Sequence, residues 1–305
     1  SVMIMLALLF LVPFASAGFF DFLTGKATSA TTDVTTTITS NTAPQITSVD
    51  FTSTLNPVEG TTTSHVFNFT AYDLDGASDI NISSANIHIT YSDCNGEARD
   101  RSASCTNTSA AEGQINTVDF TCDVTFQYYD CAGSWNVNAT VYDLYSTPAL
   151  AVNDSTSLTV SATQSITVSP SEVQFPSLSV GDVDKSSTIN TTVNNTGNVG
   201  VDLSVNSSNL QGDLLTSYYF GAGNFSSITS NVTTLNNPCE ANALVAREYV
   251  DVGNSTYGSK PAVNLDAGHP GQYVTIRYCI PSVPSLPRQN YTSGSEPWIV
   301  KGVFA

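Results

Sequence analysis

Residues 118–129 read VDFTCDVTFQYY. Val118, Phe120, Cys122, Val124 and Phe126 occupy every second position, with Asp or Thr between them. A period of two puts the apolar groups on one face of an extended chain and the polar groups on the other, which is the pattern of a half-buried strand. The same alternation recurs on both sides, in QITSVDF (45–51), HVFNFTAYD (65–73), ANIHITYSD (85–93), SWNVNATVYDL (134–144) and STSLTVSA (155–162). Turn clusters such as Asn56-Pro57 and Asp75-Gly76 separate these runs, and no amphipathic helical pattern interrupts them. The second half repeats the style in SITVS (165–169), VQFPSLSV (173–180), STINTTVNNT (187–196), VDLSVNSS (201–208), VAREYVDV (245–252), QYVTIRYC (272–279) and PWIVKGVF (297–304). The chain is therefore expected to be all-β: two consecutive antiparallel β-sandwich domains, residues 43–162 and 163–305, with a short helix near Glu240–Arg247.

The N-terminal region reads differently. Residues 3–14, MIMLALLFLVPF, are apolar and end on Ala15-Ser16-Ala17. This predicts a signal peptide over 1–17, cut after Ala17, in a precursor that begins upstream of Ser1. The run falls short of the about 20 apolar residues of a membrane span, so no stable transmembrane anchor is expected. Residues 18–42 form an extended segment, and its part from Ala27 to Thr42 holds eight Thr with neither Pro nor Gly. Such β-branched density favours an extended strand, with Val34, Thr36 and Ile38 on one face.

Composition narrows the compartment and the partners. Charged residues are 11% of the chain against roughly a quarter in ordinary domains, and the net charge is −17. That charge repels phosphate backbones and excludes nucleic acid as a partner. Twelve Asn-x-Ser/Thr acceptors, at Asn68, Asn81, Asn107, Asn138, Asn153, Asn190, Asn194, Asn206, Asn224, Asn231, Asn254 and Asn290, predict covalent N-glycans on a secreted, cell-surface protein. Six cysteines in an exported chain imply three disulfides. Cys239 and Cys279 are expected to pair with each other, and among Cys94, Cys105, Cys122 and Cys131 neighbours are preferred over a nested arrangement.

The stretch 168–205, VSPSEVQFPSLSVGDVDKSSTINTTVNNTGNVGVDLSV, resembles the immunoglobulin-like modules of prokaryotic, especially archaeal, cell-surface proteins, in which a strand reaches an Asn-Thr-Gly-Asn turn, here Asn195–Asn198. FTAYDLDGASDI (69–80) and GSWNVNATVYD (133–143) look like related extracellular Ig-like or PKD-like modules. The resemblance implies a spacer, adhesin or assembly unit.

Asp73, Asp75 and Asp79 form a DxDGxxD loop whose carboxylates can converge on a hard cation, making calcium the candidate cofactor. It resembles extracellular calcium loops; the bidentate Glu of an EF-hand is missing. His65, His88 and His269 are far apart, and no HExxH, GxSxG, Walker A or dinucleotide fingerprint occurs. Trp135 reads as a core residue, and Tyr218 to Phe220 as an aromatic surface patch. The expected function is non-enzymatic: a subunit of an extracellular fibre or pilus, partnered by copies of itself and joined by donation of the strand 27–42. In this the chain resembles donor-strand pilins in plan only. The alternative is a monomeric adhesin or surface-layer accessory protein binding glycans or partner proteins.

Overall fold

The computed structural model describes residues 35, 41–94, 97–109, 115–145, 150–229, 239, 243–252 and 273–304. Residues 41–305 form one compact unit and residues 1–40 another. The protein is all-β, and among the described residues no helix is long and apolar enough to cross a membrane. The first eight strands are β1 (Gln45–Phe51), β2 (Thr54–Leu55), β3 (Thr62–Tyr72), β4 (Ile80–Cys94), β5 (Glu97–Asn107), β6 (Thr117–Gln127), β7 (Gly133–Asp143) and β8 (Leu150–Val160). They hydrogen-bond in the order β1-β3-β6-β5-β4-β7-β8-β2, antiparallel except for β2 on β8.

β5 serves two partners. Its residues up to Ser104 pair with β4, and Cys105–Asn107 pair with β6. The two limbs joined at this switch share one buried cluster, to which β3 and β6 give Phe67, Phe69, Phe120 and Phe126, and β4 and β7 give Ile87, Ile89, Trp135 and Val137. In β6 the side chains expected inside are buried, as the alternation of 118–126 requires. Trp135 stacks on Tyr91 at 5.3 Å and donates its indole N–H to the Cys131 carbonyl at 2.9 Å.

The remaining strands are β9 (Ile166–Ser169), β10 (Val183–Ser186), β11 (Thr191–Asn195), β12 (Val201–Asn206), β13 (Leu210–Gly212), β14 (Tyr219–Phe220), β15 (Ser226–Thr229), β16 (Tyr249–Asp251), β17 (Tyr273–Ser282), β18 (Tyr291–Thr292) and β19 (Ile299–Phe304). One sheet runs β10-β17-β11-β9 with β15 also on β17, a second β16-β12-β19, a third β14-β13-β18. A separate buried cluster, including Val193, Leu203, Phe225, Ile276 and Tyr278, serves these sheets. The short helix expected near Glu240–Arg247 is absent over the described residues 243–247. Ala243 and Ala246 instead form β-bridges to Ser226 and Ser207, and Arg247 adopts a left-handed φ of 63°.

Three disulfides join Cys94 to Cys131, Cys105 to Cys122 and Cys239 to Cys279, with Cα separations of 5.7, 4.2 and 5.0 Å. The expected bridge of Cys239 to Cys279 is present; the neighbour pairings are corrected. Cys94 faces Glu97 at one end of β5 and Cys105 lies eight residues further along, about 26 Å away at roughly 3.3 Å per residue. A disulfide cannot bridge Cα atoms more than about 7 Å apart. Cys105 lies directly opposite Cys122 in the ladder, so the nested arrangement follows from the strand register.

The two buried clusters meet at a polar seam. Asp130, fully buried, accepts from Arg101 Nε at 2.8 Å and Nη2 at 2.5 Å, and from the Gln127 amide at 2.8 Å. Its carbonyl accepts from Asn198 Nδ2 at 3.0 Å, and the same amide nitrogen bonds the Ser161 carbonyl at 2.8 Å. Asn198 Oδ1 accepts from the Thr163 N–H at 2.6 Å. The Asn-Thr-Gly-Asn turn singled out in the sequence is thus the joint: Asn195 Oδ1 caps the Gly197 N–H, and a Cβ on Gly197 would run into the Thr163 carbonyl.

Replacing Asp130 with Ala strands the Arg101 guanidinium in a largely buried position. The expected loss is about 3–5 kcal/mol of unfolding free energy, measured by denaturant titration. A second expectation concerns His65, which packs at 4.9 Å from Phe67 with Nε2 against the Thr52 carbonyl at 2.9 Å. Burial holds its pKa below the ordinary 6.5, with the Thr52 bond acting the other way. The unfolded chain then binds the proton more readily, so stability is full above pH 6.5 and falls as pH drops toward the depressed value. Urea titrations at several pH values should show this slope, and His65→Gln should flatten it.

Candidate functional site

The DxDGxxD sequence forms the connection between β3 and β4. Asp73 ends the strand pattern and is fully buried, Asp75 is exposed and Asp79 half-buried. Asp73 Oδ1 accepts the Asp75 N–H at 2.8 Å, which closes a tight turn. Gly76 follows at φ 125°, a conformation L side chains rarely adopt, and Ala77–Asp79 make one 3-10 turn closed by the Asp79 N–H on the Gly76 carbonyl at 3.0 Å. Backbone bonds from Asp73 to Asn116 (2.8 Å) and from Ala77 to Ile115 (2.9 Å) pin the loop to the segment that precedes β6.

This folding brings one carboxylate oxygen from each of Asp73, Asp75 and Asp79 within 4.8 Å of the others. Asp73 Oδ2 is buried and has no hydrogen-bond partner among the described residues. Burial pushes the Asp73 carboxyl above the ordinary carboxylate range; the Asp75 N–H opposes this, and the charges of Asp143, Asp75 and Asp79 push it further up. The charged side chains that shift Asp73, Asp143, Asp75 and Asp79, are all carboxylates. Three residues the sequence did not single out, Asp143, Asn41 and Thr42, complete the surroundings. Asp143, at the end of β7, accepts from the Tyr145 N–H at 2.7 Å and from Asn41 Nδ2 at 2.6 Å. The Thr42 N–H donates to Asp75 Oδ2 at 2.5 Å. Neither the Asn41 nor the Thr42 contact carries a local sequence signal, because each joins residues far apart in the chain.

The other expected site residues are dispersed. Among the sequon asparagines whose surroundings are described, Asn68, Asn107 and Asn290 are exposed, and Asn81, Asn138, Asn190, Asn194, Asn206 and Asn224 are half-buried. On β3 and β7 the neighbours Phe69 and Val137 are buried, so Asn68 and Asn138 face away from the core. Asn138 is the more cramped, with a buried Oδ1 that has no partner. The side chain of Asn153, and Asn231 and Asn254, lie outside the described residues, as do Val34, Thr36, Ile38 and His269. His88 Nε2 stands 3.6 Å from Asp100. The expected aromatic patch divides: Tyr218 and Tyr219 are exposed, whereas Phe220 is buried against Phe225 at 4.7 Å. Exposed Leu214 and Leu215 stand in the same loop and were not anticipated.

No protein-family model matches the chain, and no curated protein matches it. Among solved structures, a similarity to the crystal structure of red sea bream transglutaminase covers 86% of this chain and 31% of that one, at 12% identity and a TM-score of 0.21. The chain spans about a third of that protein's length, and a superposition this loose carries no argument about fold or chemistry.

Proposed function

We propose that the chain is a non-enzymatic extracellular structural glycoprotein, built as two β-sandwich modules in tandem. The observation that carries this reading is the placement of the acceptors. Nine sequon asparagines have described surroundings and none of them is buried, including two on strands whose adjacent residues are core. A glycan requires such outward positions. Three disulfides fit an oxidising compartment. Glycopeptide mass spectrometry on protein from its native source should find sugar on at least half of the twelve acceptors, with exposed Asn68, Asn107 and Asn290 among them. Unmodified peptides at these three positions would sink the glycoprotein reading.

Within that reading, the chain is a fibre subunit that donates residues 27–42, with Val34, Thr36 and Ile38 inward, to a sheet edge of the next copy. An open edge supports it: β19 pairs with β12 alone among the described strands and leaves Ile299 and Val303 exposed. Donor and acceptor differ, so the contact repeats into an open filament. Deleting 27–42, or introducing Val34→Asp with Ile38→Asp, should yield folded monomers in negative-stain images and sedimentation, because a buried unpaired carboxylate is costly. Fibres that survive the deletion would sink strand donation, and an unaltered chain that stays monomeric at high concentration would favour the adhesin alternative, which the exposed cluster of Leu214, Leu215, Tyr218 and Tyr219 supports.

A further inference from the structure

We propose that the β3–β4 loop is a calcium site in which Asp73, Asp75 and Asp79 supply the ligand oxygens and Asp143 adds charge from the neighbouring strand. Two independent observations converge on it. The first is geometric: three carboxylates from a seven-residue loop bring one oxygen each within 4.8 Å of one another. Calcium takes 6–8 oxygen ligands in flexible geometry, which suits a short loop of carboxylates and backbone better than the strict octahedron of magnesium. The second is the oxygen left over. Asp73 is fully buried, its Oδ1 is used by the Asp75 N–H, and its Oδ2 meets no donor. A buried carboxylate oxygen without a donor is costly, and a bound cation supplies what the protein does not.

The surroundings favour a cation over a simple acidic turn. A purely structural turn would need only the Asp73 Oδ1 bond and Gly76; it gives no reason to bury a second oxygen amid further carboxylates. Asp143 is itself buried beside them. Among the described residues, no arginine or lysine is hydrogen-bonded to Asp73, whereas the equally buried Asp130 is matched by Arg101. The same molecule thus neutralises one buried carboxylate with a guanidinium and leaves the other facing acids.

Position gives the site a consequence. Asn41 and Thr42, where the chain enters the compact unit of residues 41–305, bond to Asp143 and Asp75. Each carboxylate oxygen has two lone pairs, so Asp75 can hold an ion and the Thr42 N–H together. A cation here fixes Asn41 and Thr42 as well as the loop. The inference stands apart from the reading of the chain as a fibre glycoprotein, since it holds or fails on the loop alone.

The test uses the full chain, stripped with a chelator and titrated with calcium chloride by calorimetry and thermal unfolding. Expected are one ion per chain with a dissociation constant of about 10⁻⁴–10⁻³ M, the range of extracellular modules. The melting temperature should rise by roughly 3–10 °C when calcium reaches ten to a hundred times that constant. Asp75→Asn, at an exposed position that leaves the core intact, should weaken binding by about tenfold or more for the loss of one charged ligand. Asp73→Asn should abolish it. Because the net charge of −17 attracts cations generally, sodium chloride at matched ionic strength and magnesium at matched concentration are run beside it. No calcium heat, an equal shift with either control, or an Asp75→Asn chain that binds like the unaltered one would each overturn the assignment.

Discussion

The fold depends on the buried carboxylate of Asp130. A charge wholly removed from water is tolerated only when its oxygens are fully bonded, and Asp130 meets that condition through the Arg101 fork and the Gln127 amide. Each partner fixes something. Arg101 belongs to the part of β5 that pairs with β4, so the bond holds that limb against the β6–β7 turn. Cys131, the next residue, carries the disulfide to Cys94 and accepts from Trp135, which ties the turn to the end of β4 and to the aromatic core. The Asp130 carbonyl then receives Asn198, whose other bonds reach Ser161 and Thr163 on the link between the two cores. Apolar packing alone is non-directional. These bonds set one geometry at the seam.

Away from the seam, hydroxyl and amide groups bonded to one another or to carboxylates do what salt bridges do elsewhere. On the outer face of β3 and β6, Thr70 bonds Asp119 at 2.7 Å, Asn68 accepts from Thr121 at 2.7 Å, and Ser64 bonds Asp123. Cross-strand pairs of this kind stabilise a sheet without basic residues, which suits a chain with 9 Lys and Arg against 26 Asp and Glu. Asn68 engages its oxygen in this ladder, which leaves the amide nitrogen for a sugar. A glycan there would extend from the face without breaking the row.

Much of this was legible in the sequence where local rules suffice. Alternation placed Phe67, Phe69, Phe120, Phe126 and Trp135 in the core because a strand's period allows only two faces. Asp75-Gly76 and Asn195–Asn198 announced turns because their residues fit special backbone geometry. What failed depended on which strands are neighbours. The pairing of Cys94 with Cys131 requires that β5 carry Cys105 away from β4, and no local pattern contains that register. Asn41 and Asp143, 102 residues apart in sequence, meet beside the acidic loop for the same reason. A short helix is expected near Glu240–Arg247, but over the described residues 243–247 backbone bridges to Ser207 and Ser226 prevail, as tertiary context overrides weak helix preference.

An all-β chain must also keep its sheet edges from pairing at random, and the devices differ along the molecule. β9 and β10 are four residues each and β16 three, too short to template much addition. β1 carries an irregularity between Ile46 and Ser48 that breaks the regular row of donors and acceptors. β19 is longer, at six residues, and its outward positions alternate Ile299, Lys301 and Val303. Lys301 lies over the Tyr249 ring at 5.1 Å, across the intervening β12, so the one charge that guards this edge is drawn back over its own sheet. Of the edges described, β19 therefore has the weakest protection against an added strand, and a β-branched partner presenting apolar residues at every second position is the kind that would match it.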